Sequence, residues 1–133
     1  MIERIIQIGR WHVVFFFADG EGEDANVLGT LEDMGAPKEI IDKASELMEG
    51  CEYDCGFTFS NPRARLAAVY IGPTSSGAEF QDSFVHELRH LADAIARSLG
   101  INLDGEAVAY LSGDTAREFA DIICRLGCEH CRG

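Results

Sequence analysis

The sequence is short of positive charge, of long apolar runs and of evenly paired cysteines, and each shortage removes a class of function. Lys and Arg number 11 against 23 Asp and Glu, for a net charge of −12, so the clustered cations that neutralise phosphates are lacking and a nucleic-acid surface is not expected. The longest apolar run, residues 13–18, falls far short of the roughly 20 residues of a membrane span. Residues 1–10 carry Glu3, Arg4, Gln7 and Arg10 and so lack the apolar centre of a signal peptide. Five cysteines, an odd number, fit a reducing compartment better than a disulfide framework, and these features together give a cytoplasmic expectation. At 133 residues, 47% hydrophobic and 26% charged, the chain is expected to be a single domain (1–133) with a real core.

What is present centres on His86-Glu87-Leu88-Arg89-His90, within the stretch 76–100. Ser76-x-x-Glu79 reads as a capping box and Gly100 as the glycine just past a helix end. Between them Phe80, Phe84, Leu88, Leu91, Ile95 and Leu99 recur at helical spacing and form one apolar stripe. On such a helix His86 and His90 are four apart and lie on one face, so both imidazoles can meet one metal ion, and Glu87 is placed to take a proton from metal-activated water. His86, His90 and Asp93 fall on the side away from Leu88 and Ile95, clear of the core.

The remainder reads as strands and helices in alternation. Residues 2–9 and 11–18 predict two strands joined by a turn at Gly9-Arg10, followed by a loop over 19–22. Phe15-Phe16-Phe17 breaks the alternation of a half-exposed strand and predicts a strand covered on both faces or one flanked by a helix. Residues 24–35 predict a short helix, and a second helix starts with Pro37 at its first position and ends at Gly50. Residues 57–60 and 65–72 predict a hairpin around Asn61-Pro62-Arg63. The strand 65–71 leads into the HExxH helix and is either an interior strand or an edge along which an extended peptide substrate binds.

After Gly100, Asp104 is a reasonable N-cap for a helix beginning at Glu106, kinked at Ser112-Gly113-Asp114 and running on to Leu126. Fifteen residues lie between His90 and Glu106, enough to bring a second helix back beside the first. Two histidines and a carboxylate are a common catalytic zinc set, which makes Glu106 the candidate third ligand. Asp93 is the competing ligand, or a carboxylate that orients a histidine ring. Tyr110 shares the face of Glu106 and is a candidate for stabilising an oxyanion.

Residues 86–110 resemble the gluzincin metallopeptidases, of which thermolysin is the familiar member. The resemblance implies His86, His90 and Glu106 as zinc ligands and Glu87 as general base. The run Glu106-Ala107-Val108-Ala109-Tyr110 is similar to the glutamate-alanine segment of small gluzincins, including the repressor-cleaving ones of mobile elements. It implies an α+β fold, a small twisted sheet of about four strands packed with helices. The gap before Glu106 is shorter than in thermolysin, Tyr110 stands where an acidic residue follows the ligand there, and no second histidine has a matching place. Arg89, Arg117 and Tyr70 are left as unranked candidates for the electrophile.

Cys51-x-x-x-Cys55 and Cys124-x-x-x-Cys128-x-x-Cys131, with His130, could build a structural zinc site if the segments meet, and the second spacing matches an iron–sulfur motif. Reduced thiols on a helix and tail are the simpler expectation. The expected function is a zinc metallopeptidase that hydrolyses a peptide or protein bond by zinc-activated water. The alternatives are a zinc-stabilised interaction domain that keeps the ligands without hydrolysis, and a metal-free binding module. No nucleic acid or membrane partner is expected.

Overall fold

The middle of the sheet is formed by two strands running in the same direction, β2 (Trp11–Phe17) and β4 (Leu66–Ile71), with Val14 opposite Ala68 and Phe16 opposite Tyr70. The structure, a computed structural model, describes residues 1–20 and 25–132. β1 (Ile2–Ile8) pairs antiparallel with β2, and β3 (Gly56–Asn61) pairs antiparallel with β4, giving the order β1-β2-β4-β3. The helices are α1 (Ala25–Asp33), α2 (Lys38–Gly50), α3 (Gly77–Leu99), α4 (Glu106–Arg117), α5 (Ala120–Gly127) and the four-residue α6 (Glu129–Arg132). The fold is α+β with a four-stranded mixed sheet. Among the described residues no helix is long and apolar enough to cross a membrane.

Strand alternation divides the core in two. Val13, Phe15 and Phe17 on β2, and Ala67, Val69 and Ile71 on β4, face α3 and α5, where they meet Phe80, Phe84, Leu88, Leu91, Ile95, Phe119 and Ile122. Phe16, Ala68 and Tyr70 face the other way, onto Val27, Leu31, Ala44 and Met48 of α1 and α2. The unbroken Phe15-Phe16-Phe17 run therefore serves two cores at once, as its lack of alternation predicts, with all three rings fully buried.

α3 takes its bounds from its sequence. The Ser76 hydroxyl accepts from Glu79 N at 3.1 Å, satisfying one free N–H of the first turn, and Gly100 closes the helix at φ 70°, where a side chain would be strained. Its apolar stripe packs on the sheet as far as Ile95. Leu99, expected to continue the stripe, is 63% exposed.

Several expectations are corrected. Pro37 is the residue before α2, with φ −62° and ψ 155°, and not its first helical residue. Gly105, not Asp104, precedes α4. The helix runs unbroken through 112–114, and it ends after Arg117, where Glu118 N and Phe119 N donate to Thr115 O and Ala116 O in tightened turns. That break swings Phe119 into the sheet core, 4.4 Å from Phe15 and 5.5 Å from Phe17 between ring centroids. The strand 65–71 is interior, hydrogen-bonded to β2 on one side and β3 on the other, so it has no free edge for a peptide. Cys51 and Cys55, expected as reduced thiols, are joined in a disulfide. Part of the expected loop over 19–22 and the expected helix start at Asp24 lie outside the described residues.

Phe119 reports on the side of the core that faces α3 and α5. Phe119→Ala should cost about 3–5 kcal/mol, lost transfer energy plus a cavity, measured as a drop in the urea unfolding midpoint with unchanged slope.

Candidate functional site

The rotation of α3 about its own axis sets the site. With Leu88, Leu91 and Ile95 held down on the sheet, a step of about 100° per residue turns Glu87 and Ala94 toward β3. The same step turns Ala92 and Ala96 toward α4, where Val108 packs on them. His86 and His90 lie on the crest between.

The histidines converge as their spacing predicts. Their Nε2 atoms are 3.2 Å apart, with ring centroids 4.9 Å apart and planes at 73°. Two nitrogens on one tetrahedral zinc ion, each at the usual bond length, stand about 3.3 Å apart, so the pair already has the bite of a two-nitrogen chelate. Without an ion, that separation is a hydrogen bond in which one ring donates and the other accepts.

Glu87 is buried, at 6% exposure, and the edge strand receives it. Thr58 Oγ1 lies 3.0 Å from Glu87 Oε1 and 3.2 Å from the Glu87 carbonyl oxygen, so the hydroxyl proton bridges the helix to β3. The other oxygen, Oε2, is 4.0 Å from His86 Nε2. Gly56 makes room for this carboxylate: a Cβ there would stand 2.6 Å from Tyr70 O and 3.2 Å from Glu87 Cγ. Alternation in β3 explains the arrangement. Gly56, Thr58 and Ser60 line the cleft under the histidines, while Phe59 packs on the opposite core and Phe57 borders both.

The cleft holds about 420 Å³, and Arg97 lines it together with His90 and Ser60. Arg97 was missed in the sequence, although it falls seven residues after His90 and so on the same helical face. Thr58 and Gly56 carry no motif; only the strand register reveals them. The electrophile candidates are placed elsewhere. Arg89 binds Leu103 O at 3.2 Å, Arg117 lies 3.5 Å from Asp114, and Tyr70 is buried in the opposite core, stacked 5.3 Å from Phe57.

Glu106 and Tyr110 are not brought into the cleft lining. Glu106 is exposed at the start of α4, and Tyr110 is 68% exposed one turn later. Among the described residues no group of three or more His, Cys, Asp and Glu side chains is gathered around a metal position. Asp93 faces Arg89 and not a histidine. Arg89 Nε is 2.8 Å from Asp93 Oδ1, yet its N–H is not aimed at that oxygen, so the attraction is Coulombic and the shielded Oδ1 accepts no hydrogen bond among the described residues. The cleft thus brings together a histidine pair with a carboxylate beside it, one donor short of a three-ligand set among the described residues.

The cysteines of the second expected site are split. Cys51 and Cys55 are bonded to each other, and Cys124 Sγ lies 3.6 Å from Cys131 Sγ. Thiol contacts from Cys131 to Cys124 and to Cys128 push the Cys131 thiol up to about 11. The Cys131 backbone N–H, its thiol and the His130 backbone N–H pull Cys128 down, because each stabilises a thiolate.

Compared with known proteins, the chain matches no family model, no curated protein and no solved structure.

Two expected outcomes follow from these contacts. Thr58→Val deprives the buried Glu87 carboxylate of its hydroxyl donor and should destabilise the fold by about 1–3 kcal/mol in urea titration. Iodoacetamide at mildly alkaline pH should label Cys128 before Cys131, read by peptide mass spectrometry, because the lowered group holds more thiolate there.

Proposed function

We infer that the protein is a zinc-dependent hydrolase of peptide or protein bonds, of gluzincin type, centred on His86 and His90 with Glu87 as general base. The observation that supports this most is the 3.2 Å approach of the two Nε2 atoms beside a buried carboxylate. His86 and His90 would hold the metal, and Glu106, at the start of the next helix, is the carboxylate that the gluzincin resemblance assigns to complete the set. Zinc bound there supplies Lewis acidity, which acidifies water and polarises a carbonyl.

The remaining chemistry belongs to side chains of the cleft. Thr58 occupies Oε1 of Glu87 and leaves Oε2, on the histidine side, as the basic oxygen. In this reading Oε2 takes the proton of the attacking water and returns it to the departing amine as the C–N bond breaks. Arg97, which lines the cleft, in this reading takes the part expected of Tyr110 and would balance charge developing on the carbonyl oxygen. The substrate edge in this reading is β3, whose outer side has no partner strand among the described residues and whose inner residues floor the cleft. An extended peptide can add to that edge by main-chain hydrogen bonds and pass beneath the histidines. A cytoplasmic setting agrees with the three free thiols and sits against the Cys51–Cys55 bond, which a reducing compartment tends to open.

A second reading, a zinc-stabilised interaction domain without hydrolysis, is favoured by the exposed position of Glu106 outside the cleft lining. Two substitutions separate the readings. His86→Ala should abolish zinc retention, measured by elemental analysis of purified protein. Glu87→Gln should keep zinc and lower hydrolysis of unstructured peptides by roughly 10²–10⁴-fold. Zinc content that is low in the wild-type protein, or unchanged in His86→Ala, contradicts both. Hydrolysis equal in wild type and Glu87→Gln leaves only the non-catalytic domain.

A further inference from the structure

Because β2 and β4 run parallel, the β1–β2 turn and the β3–β4 turn meet at one end of the sheet, where His12 N donates to Arg65 O at 2.9 Å. A second cavity opens there, of about 560 Å³, between these turns, the last turns of α3 and Leu111 of α4. It shares no lining residue with the histidine cleft. Its volume falls in the range of small-molecule sites, commonly about 300–1,000 Å³.

The wall is apolar and the rim is cationic. Ile8, Trp11, Ile95 and Leu111 form the wall, and Leu99, the residue of the apolar stripe that the sheet does not cover, is 63% exposed beside them. Arg10 and Arg65 line the same cavity. Among the described residues Arg4, Arg89, Arg117 and Arg125 each stand against a carboxylate, whereas Arg132 is held by Thr74 and Leu126 oxygens and Arg63 and Arg97 have no carboxylate partner. The side chains of Arg10 and Arg65 have no ion pair or hydrogen bond among the described residues. In a chain with 23 acidic residues against 11 basic ones, this cavity has two arginines and no carboxylate in its lining. A guanidinium grips an anion such as a carboxylate with two parallel hydrogen bonds, so an anionic head group suits this rim.

We propose that this cavity binds a free single-chain amphiphile with a carboxylate head, its alkyl chain along Trp11, Ile95, Leu99 and Leu111 and its head between Arg10 and Arg65. The burial of the alkyl chain supplies affinity and the arginine pair selects the sign of the head group. The proposal is independent of metal binding and hydrolysis at α3.

Trp11 is the single tryptophan of the chain and lines the cavity, so its fluorescence reads the site directly. Dodecanoate, titrated below its micellar concentration, should change Trp11 emission saturably. Dodecyltrimethylammonium should bind at least tenfold more weakly. The exposed-site substitutions Arg10→Glu and Arg10→Glu/Arg65→Glu should weaken dodecanoate at least tenfold and leave the unliganded spectrum unchanged; the single variant serves if the double does not fold. His86→Ala should bind dodecanoate as the wild type does. The proposal is overturned by the absence of a saturable change, by equal response to the cationic amphiphile or to acetate, or by a response to phosphatidylglycerol vesicles alone, which would assign the face to a lipid surface.

Discussion

The seating of α3 on the sheet is the constraint on which the rest of the structure depends. Phe80, Phe84, Leu88, Leu91 and Ile95 are each at most 5% exposed against β2, β4 and α5, and each such side chain contributes about 1.5–3 kcal/mol of burial, an upper bound against a compact unfolded chain. That packing leaves the helix no freedom to rotate. One residue of rotation, about 100°, would either carry Glu87 into the sheet core as His86 swings onto β3, or lift Glu87 onto the solvent crest as His86 swings toward α4. The sheet core therefore decides which side chains of the HExxH segment look inward and which look out, although Leu88, Leu91 and Ile95 themselves do not line the cleft.

The same seating distributes polarity along the helix. Its middle presents two imidazoles over a cleft floored by the edge strand, and Arg97 follows one face further on. Its last turn runs past the sheet and leaves Leu99 over the apolar cavity rimmed by Arg10 and Arg65. Arg89 ties the outer flank to the loop that leads into α4, through Leu103 O. A chain of strongly acidic composition thus places cations at three points around a single helix.

Much of this was legible in the sequence wherever a local signal sufficed. Ser76 and Gly100 mark the ends of α3, the four- and three-residue spacing gives its buried face, and two hairpins and the doubly covered phenylalanine strand follow from composition and turn residues. The illegible features all depend on partners distant in the chain. No local pattern says that β4 pairs on both sides and β3 is the edge, because that rests on β2 and β4 running parallel across the intervening helices. Thr58 and Gly56 acquire meaning only when β3 lies against Glu87. The break before α5 is set by Phe119 finding Phe15 and Phe17, which outweighs the weak helix-breaking tendency of Gly113. The histidine pair was legible because helical spacing alone fixes it; the position of Glu106 was not, because it rests on how α4 crosses α3.

The most direct test is X-ray absorption at the zinc edge on protein loaded with one equivalent of zinc. The account predicts a first shell of nitrogen and oxygen with two imidazoles near 2.0–2.1 Å, lost in His86→Ala. A sulfur shell near 2.3 Å would contradict it, because the metal would then sit on the Cys124, Cys128 and Cys131 thiols and the crest of α3 would not be a metal centre.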